Sequence, residues 1–535
     1  MSPHRFLSGA VALPLLLAAG MAAAQKLTHM PSAVPKVTGV SRPNVLSPEL
    51  VGVIRAQGSM QVENPTPAVL YFGYLNDQPN LIPAPGTTSN VEASKTEPDK
   101  NTYLVLPGLK GADSGYDYGS HFLFQGHEAG SPGSLTRINL DADAAHRVTV
   151  LANTDSTGAA MPTIDGSTWY PWSARLLLTQ EGNGSTTGGV WQATPDYPSL
   201  AEPLLGVMGR GGYEGVQADE DGNIWLIEDI GGSTVGGARL PNSFVYRFTP
   251  KNVHDLRQGG QLQALQVLSR SSGQPIVFLT ASALTQDLKD LHTYGLTFQT
   301  RWVTVHDTDT DGFAPFNANA LAKAKLATPF KRPENGVFKP GTRFREFFFD
   351  ETGDTSATST AIAGFGGFGS LMRLVQSSPS AASGTLSMFF SGDLEHNSFD
   401  AIQFLDDHRL VVVEDRGDGL HTQGNAFDSG WLFDTRIDYS TGAHKPVRII
   451  AQGRDVSATI DSALSGTPGF QNDGDNEITG IHVSDGDPTQ RGILGAKRPT
   501  PFKGGWRVFY THQHGDNVIW ELLLRGSKHG ERDDD

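Results

Sequence analysis

Hydrophobic and polar residues alternate along this chain in one recurring phrase. A short apolar run ends in an acid, amide or histidine, and then in glycine. It occurs as "HFLFQGHEAG" (121–130), "RLLLTQEGNG" (175–184), "NIWLIEDIGG" (223–232), "REFFFDETGD" (345–354), "RLVVVEDRGDG" (409–419) and "RVFYTHQHGD" (507–516). A nearly continuous apolar run of this length, bounded by turn residues, predicts a β-strand buried on both faces. Two architectures supply such strands: a radial array with one copy in each blade, or a two-sheet sandwich whose strand endings coincide. Six repetitions favour an all-β, six-bladed β-propeller with loop and helix insertions.

Four copies carry an upstream half. Glu214 precedes an apolar stretch, a turn at Asp221-Gly222 and then the recurring run. Glu334 with Pro340-Gly341, and Asp400 with Asp406-Asp407, repeat the plan, and Glu477 begins a fourth version with a longer loop. Acids at one end of four hairpins either face solvent or converge on one axis; spacing alone does not choose. Convergent carboxylates repel, and a hard cation such as calcium, bound through oxygen, is the natural compensation.

Composition narrows the class. Of 535 residues, 18% are charged and 62 are glycine, which suits a turn-rich β protein. The formal net charge of −16 argues against a nucleic-acid partner. Cysteine is absent, which excludes disulfides, thiolate ligands and cysteine nucleophiles. Residues 1–24 read as a cleaved export signal: a basic start, a short apolar stretch broken by proline, and Ala22-Ala23-Ala24 before Gln25. The expectation is a periplasmic or secreted protein with no membrane insertion. Residues 25–100, rich in Pro, Ser, Thr and Asn, are expected to wrap the propeller as an arm, with one strand at "AVLYFGYL". The propeller is expected over 101–525, with an insertion at about 251–329 holding a helix at "ASALTQDLKDLHTYG", and a disordered tail over 526–535.

Other motifs carry less. "GFGGFG" (364–369) lacks the βαβ setting of a dinucleotide site, and "DTDTDG" (307–312) has Ala318 where an EF-hand requires glutamate. No G-x-S-x-G and no H-E-x-x-H occurs. His127, His512 and His514 lie on recurring strands and suit structural and site roles equally.

Taken in order, "FLFQGHEAG", "TWYPWSARLLLTQEGNG", "GRGGYEGV", "ATPFKRPENGVF", "FDAIQF", "EITGIHVSDG" and "FYTHQHGDN" resemble motifs of the PhoX-type alkaline phosphatase family, exported six-bladed propellers with a metal cluster in the channel. The resemblance implies hydrolysis of small phosphate esters. It implies Glu214, Glu334 and Asp400 as inner metal ligands, and Glu181 and Glu477 as further ligands or their supports. Arg332 would bind the substrate phosphate. The chain departs from the family where a cysteine ligates iron; that region reads "PTIDGSTWYPW", with Asp165 the nearest carboxylate to stand in. Gly126, Tyr213 and Asp516 replace other family residues, and the signal has Arg5 without a twin. Calcium is therefore the expected cofactor, and ferric iron (Fe3+) is doubtful. The alternatives are a non-catalytic calcium-binding propeller for a ligand or envelope partner, and a propeller hydrolase acting on another ester.

Overall fold

The computed structural model describes Met1 and residues 26–30, 44–75, 95–356, 358–452, 477–513 and 517–526. The expected export signal, His514 and most of the tail lie outside the described residues.

The chain is a six-bladed β-propeller. Blade 1 is built from Pro98–Val105, His121–His127, Leu135–Asn139 and Val148–Ala152. Blade 2 contains Ser167–Tyr170, Arg175–Gln180, Gly189–Ala193 and Ala201–Pro203. Blade 3 contains Tyr213–Ala218, Ile224–Glu228, Val245–Pro250 and Gly260–Val267, and blade 4 contains Gly336–Phe338, Glu346–Glu351, Ser370–Gln376 and Ser383–Ser391. Blade 5 runs from Phe399–Phe404 through Arg409–Glu414 and Ser429–Asp434 to Val447–Gln452, with Asn44–Leu46 added at its outer edge. In blade 6, Glu477–Ser484, Arg507–Gln513 and Val518–Leu524 are completed by Leu50–Ala56. All pairings between these named strands are antiparallel, and the first strand of each blade touches the first strands of its neighbours, forming a ring around the channel.

Every copy of the recurring phrase is the second strand of a blade. Its burial on both faces follows, because each blade packs against two others. Ile224–Glu228 and the last five residues of Arg409–Glu414 are buried throughout. Wedges of apolar side chains fill the gaps between blades. Trp225 meets Trp302 and Phe338 edge-on, each at 5.1 Å between ring centroids. Burying one such ring contributes about 2–3 kcal/mol.

The N-terminal segment is less of an arm than its composition predicts. It supplies two blade strands, and blade 1 opens at Pro98, ahead of the expected boundary. The stretch "AVLYFGYL" is not a strand. Val69 and Phe72 are anchored in the core while the backbone makes only isolated bridges, Gln61 to Tyr71 and Tyr74 to Lys95. The segment 251–329 likewise does more than rest on a face. Gly260–Val267 is the outer strand of blade 3. Phe298–Asp307 pairs with both that strand and Ser383–Ser391, joining blades 3 and 4 into one nine-stranded sheet. The expected helix is short, Gln286–Leu291, started by the Thr285 hydroxyl accepting from the Leu288 N–H. The "DTDTDG" carboxylates serve their own turn, Asp307 accepting from the Asp309 N–H and Asp309 pairing with Lys251.

Candidate metal centre

Irregularity in the inner strands aims the channel side chains. Between Pro98 and Asn101, Tyr213 and Val216, and Phe399 and Ile402, two residues of the inner strand oppose one of the second strand. Such a bulge re-aims a side chain that regular pleating would place elsewhere. The first bulged residues are Asp99, Glu214 and Asp400. A similar register shift in blade 6 falls at Thr479. Glycine lets the inner strands close up: a Cβ on Gly166 would lie 2.0 Å from the Glu214 carbonyl oxygen, and one on Gly215 would lie 2.6 Å from that of Glu334. The Gly215 N–H donates to that same Glu334 oxygen at 2.8 Å.

The second strands supply the other half. The residues that follow them are Glu128, Glu181, Asp229, Thr352 and Asp415 in blades 1 to 5. Four of these are acids lining the channel, and the Thr352 hydroxyl donates to Glu334. The recurrence of acid and glycine thus has a physical basis, because in blades 1, 2, 3 and 5 this position reaches the channel. Where two acids occur in a row, they divide. Glu228 faces the blade interior and accepts from the Phe244 N–H, the Tyr246 hydroxyl and the Asn319 amide, whereas Asp229 faces the channel. Glu414 is likewise held by Arg416 and the N–H groups of Asn397 and Ser429, whereas Asp415 lines the channel.

The result is a cavity of about 350 Å³ lined, among the described residues, by eleven carboxylates and one guanidinium, that of Arg332. Glu214, Glu334, Asp400, Asp165, Glu181 and Glu477 all reach it. Three overlapping groups bring carboxylate oxygens within 4.8 Å of one another: Asp99 with Glu128 and Asp165, Asp165 with Glu181 and Glu214, and Glu214 with Glu334 and Asp400. Glu477 lines the cavity beside Gln513 but belongs to none of these groups.

Crowding dominates the electrostatics. Burial pushes the carboxyls of Asp165, Glu181, Glu214 and Asp400 well above their ordinary range, and neighbouring acids push them further. Glu334 is also raised, first by burial; Arg332 opposes the shift, while Asp229 and Asp415 add to it. For Arg332, burial lowers the pKa, but Asp229 and Glu334 outweigh that and hold it firmly charged. Its Nε donates to Asp229 Oδ2 at 2.8 Å and its Nη2 lies 3.2 Å from Glu334 Oε1, with a fifth of the side chain exposed. Its backbone is left-handed, at φ 53°, a conformation that costs a non-glycine residue free energy and is held here by its surroundings.

The donor set fits a hard cation. Asp99 Oδ1, Asp229 Oδ1 and Asp400 Oδ2 are buried without a hydrogen-bond donor, and every group of three is built from oxygen alone. Buried carboxylate oxygens so placed are ready ligands for calcium.

Sequence reasoning missed Asp99, Glu97, Glu128, Asp229 and Asp415. Asp99 opens "PDKNTYLVLPG", the same acid-before-strand plan as Asp400, but it fell on the far side of the expected domain boundary. The others were visible as acids closing recurring strands or preceding one. His127 lies outside the cavity. Its ring nitrogens bond the hydroxyls of Thr96 and Thr136 at 2.8 Å each, and burial lowers its pKa to about 3, so it is a neutral structural group. His512 is buried in ring contact with Tyr510 and Trp520.

Fold and channel together define the class, a six-bladed propeller with a carboxylate-rich centre. The Pseudomonas fluorescens PhoX structure, described as a complex with vanadate, a transition-state analogue, shares this fold with a TM-score of 0.53. The two are 12% identical, and the match covers 93% of this chain and 98% of that one. Weaker likenesses include an auxiliary nutrient binding protein of Bacteroides thetaiotaomicron, with a TM-score of 0.34, 8% identity and coverage of 82% and 74%. The WD40 domain of Toxoplasma gondii coronin follows with 0.33, 10%, and 93% and 90%. No protein-family model matches the sequence, and no curated protein matches it. No helix among the described residues is long and apolar enough to cross a membrane.

Proposed function

We propose that this protein is an exported, metal-dependent phosphomonoesterase whose channel carboxylates hold calcium. One observation carries the reading: among the described residues lining the cavity, a single guanidinium stands with eleven carboxylates. An anionic substrate is repelled from such a cavity unless cations neutralise it, and with them in place Arg332 becomes a phosphate fork. The fold shared with a phosphatase that accommodates vanadate supports the same reading.

Glu214, Glu334 and Asp400 would hold one cation, and Asp165, Glu181 and Asp99 would complete neighbouring sites. Bound calcium would supply positive charge to the phosphoryl oxygens and to the departing alkoxide oxygen. The chain's own residues set the geometry. Asp229 and Glu334 grip one edge of Arg332 and fix the plane in which its guanidinium meets phosphate. The Thr352 hydroxyl orients Glu334. Ferric iron is a poorer proposal, because the chain has no thiolate to offer it, although carboxylates also suit a hard ferric ion.

The test is hydrolysis of a generic aryl phosphate by calcium-loaded protein. Turnover that stops with a calcium chelator and returns with calcium is expected. A protein inert to phosphate esters, in which chelation lowers only the melting temperature, would instead identify a calcium-dependent binding propeller. Elemental analysis should find calcium and little iron. Tightly held stoichiometric iron, with activity following it, would overturn the assignment of the metal.

A further inference from the structure

A second cation belongs to the channel wall, and it is a residue rather than an ion. Lys100 occupies the second position of the blade 1 bulge, directly after Asp99, and is 1% exposed. Its Nζ donates to Asn335 Oδ1 at 2.9 Å. The other end of that amide donates to Glu214 Oε1 at 3.0 Å and to the Asp400 carbonyl oxygen at 3.2 Å. The Asn335 N–H is in turn held by Asp350 Oδ1 at 2.7 Å, and Asp350 Oδ2 is buried without a donor. The ammonium therefore sits in a network that ends on the Glu214 carboxylate and on the backbone carbonyl of Asp400, two residues of the central group. Burial lowers the Lys100 pKa, and the fields of Asp350, Asp99, Glu214 and Asp400 oppose that shift and favour the charged ammonium.

We propose that Lys100, seated through Asn335, is a built-in counter-cation that holds the channel carboxylates together without metal and limits how tightly they bind calcium. The proposal rests on the calcium reading above and adds a regulator of affinity to it. The reasoning is one of charge. A fixed positive group offsets part of the repulsion among the acids when no ion is bound, so it stabilises the empty site. The same group repels an arriving divalent ion, so it weakens the filled one. Such a residue lets the channel fold before calcium is met and release it afterwards. A lysine with a merely structural role would stabilise both states equally.

Two neutral variants separate these accounts. Lys100→Met removes charge and hydrogen bond but keeps the length of the stem; Lys100→Gln removes the charge and retains a donor for Asn335. Calorimetric titration with calcium alone, and melting with calcium or chelator, provide the readouts. Both variants should melt below wild type in chelator and gain more from calcium than wild type does. Their calcium affinity should rise by roughly tenfold or more, the effect of removing one unit charge at short range in a partly buried setting. Calcium affinity equal to or weaker than wild type in both variants would overturn the proposal. So would a loss of melting temperature that is the same with and without calcium. Should Lys100→Met not fold, Lys100→Gln decides, and failure of both to fold even in calcium also overturns it, since calcium should rescue them. Calcium binding by the variants but not by wild type would support it in its strongest form. If none of the three proteins binds calcium, the calcium reading and this inference fail together. If wild type binds and the variants match it, only the inference fails.

Discussion

Glu414 and Asp400 belong to the same blade and are both fully buried, yet their situations are opposite. Glu414 is enclosed by donors: two backbone N–H groups and the guanidinium of Arg416, whose Nε lies 2.9 Å away. Burial still raises its carboxyl, with Arg416 opposing the shift. Asp400 has one oxygen without a donor, and Glu334, Asp99, Glu477 and Asp415 add to the effect of burial. A buried acid supplied with its own donors belongs to the wall of the propeller. One supplied with other acids is, on the reading proposed above, a ligand for a cation from outside. Burial alone does not distinguish Glu414 from Asp400; the sign of the nearest charge does.

The strongest way to break this comparison is through the wall. Glu414→Ala leaves Arg416 buried without its carboxylate and should cost about 3–5 kcal/mol. Chemical denaturation should find that loss equal in calcium and in chelator. A loss confined to the calcium form would place Glu414 in the centre.

The next effect concerns phosphate. Arg332→Ala removes a charge-assisted fork and should weaken inhibition by inorganic phosphate about 10- to 100-fold, while metal content stays at the wild-type level. Loss of metal from this variant would reassign Arg332 to holding the cluster.

Asp400→Asn should shift stability in two directions. Without calcium it relieves like-charge repulsion and should stabilise by roughly 1–2 kcal/mol. With calcium it lacks a negative ligand, so calcium retention and activity should fall together. A variant destabilised equally in both conditions would make Asp400 a wall residue like Glu414.

The smallest effect sharpens the wall itself. His482, in the inner strand of blade 6, accepts from the Tyr103 N–H of blade 1 at 3.2 Å through Nε2, and burial lowers its pKa to about 3. Its neutral form therefore stabilises the fold fully above the ordinary histidine value of about 6.5, and that contribution is lost as pH falls toward 3. Removing it with His482→Gln should flatten melting temperature against pH in this window by less than the roughly 1.4 kcal/mol per pH unit that one proton allows. An unchanged profile would show that His482 does not titrate with unfolding.

Much of this architecture was legible in the pattern of residues. The six recurring runs each became the second strand of a blade, because a strand packed between neighbours on both faces needs apolar side chains on both. Glu214, Glu334 and Asp400 were visible as acids ahead of those runs, and the structure brings them to one group. What escaped notice did so for physical reasons. Leu50–Ala56 and Asn44–Leu46 are edge strands in a stretch whose proline and polar content reads as irregular, and only distant partners make them strands. Asn335 drew no notice, because its importance lies in contacts to blades 1, 3 and 5, which no local pattern encodes. The bulges at Asp99 and Asp400 were equally silent, since an extra residue in a strand appears only once its partner is known.

The strand Phe298–Asp307 has a mechanical consequence. Elsewhere neighbouring blades meet through packed side chains and scattered backbone hydrogen bonds, such as that from the Ser199 N–H to the Leu151 carbonyl oxygen at 3.0 Å. Blades 3 and 4 are instead stitched at their outer rims by a continuous ladder of backbone hydrogen bonds. Their inner ends carry Glu214 and Glu334, themselves linked where the Gly215 N–H meets the Glu334 carbonyl oxygen. That sector is built as a clamped jaw, tied at both hub and rim. The separation of these two acids is therefore set by the sheet rather than by whatever lies between them. On the calcium reading, a jaw of fixed gauge would discriminate among ions by radius, where a compliant one would close around each.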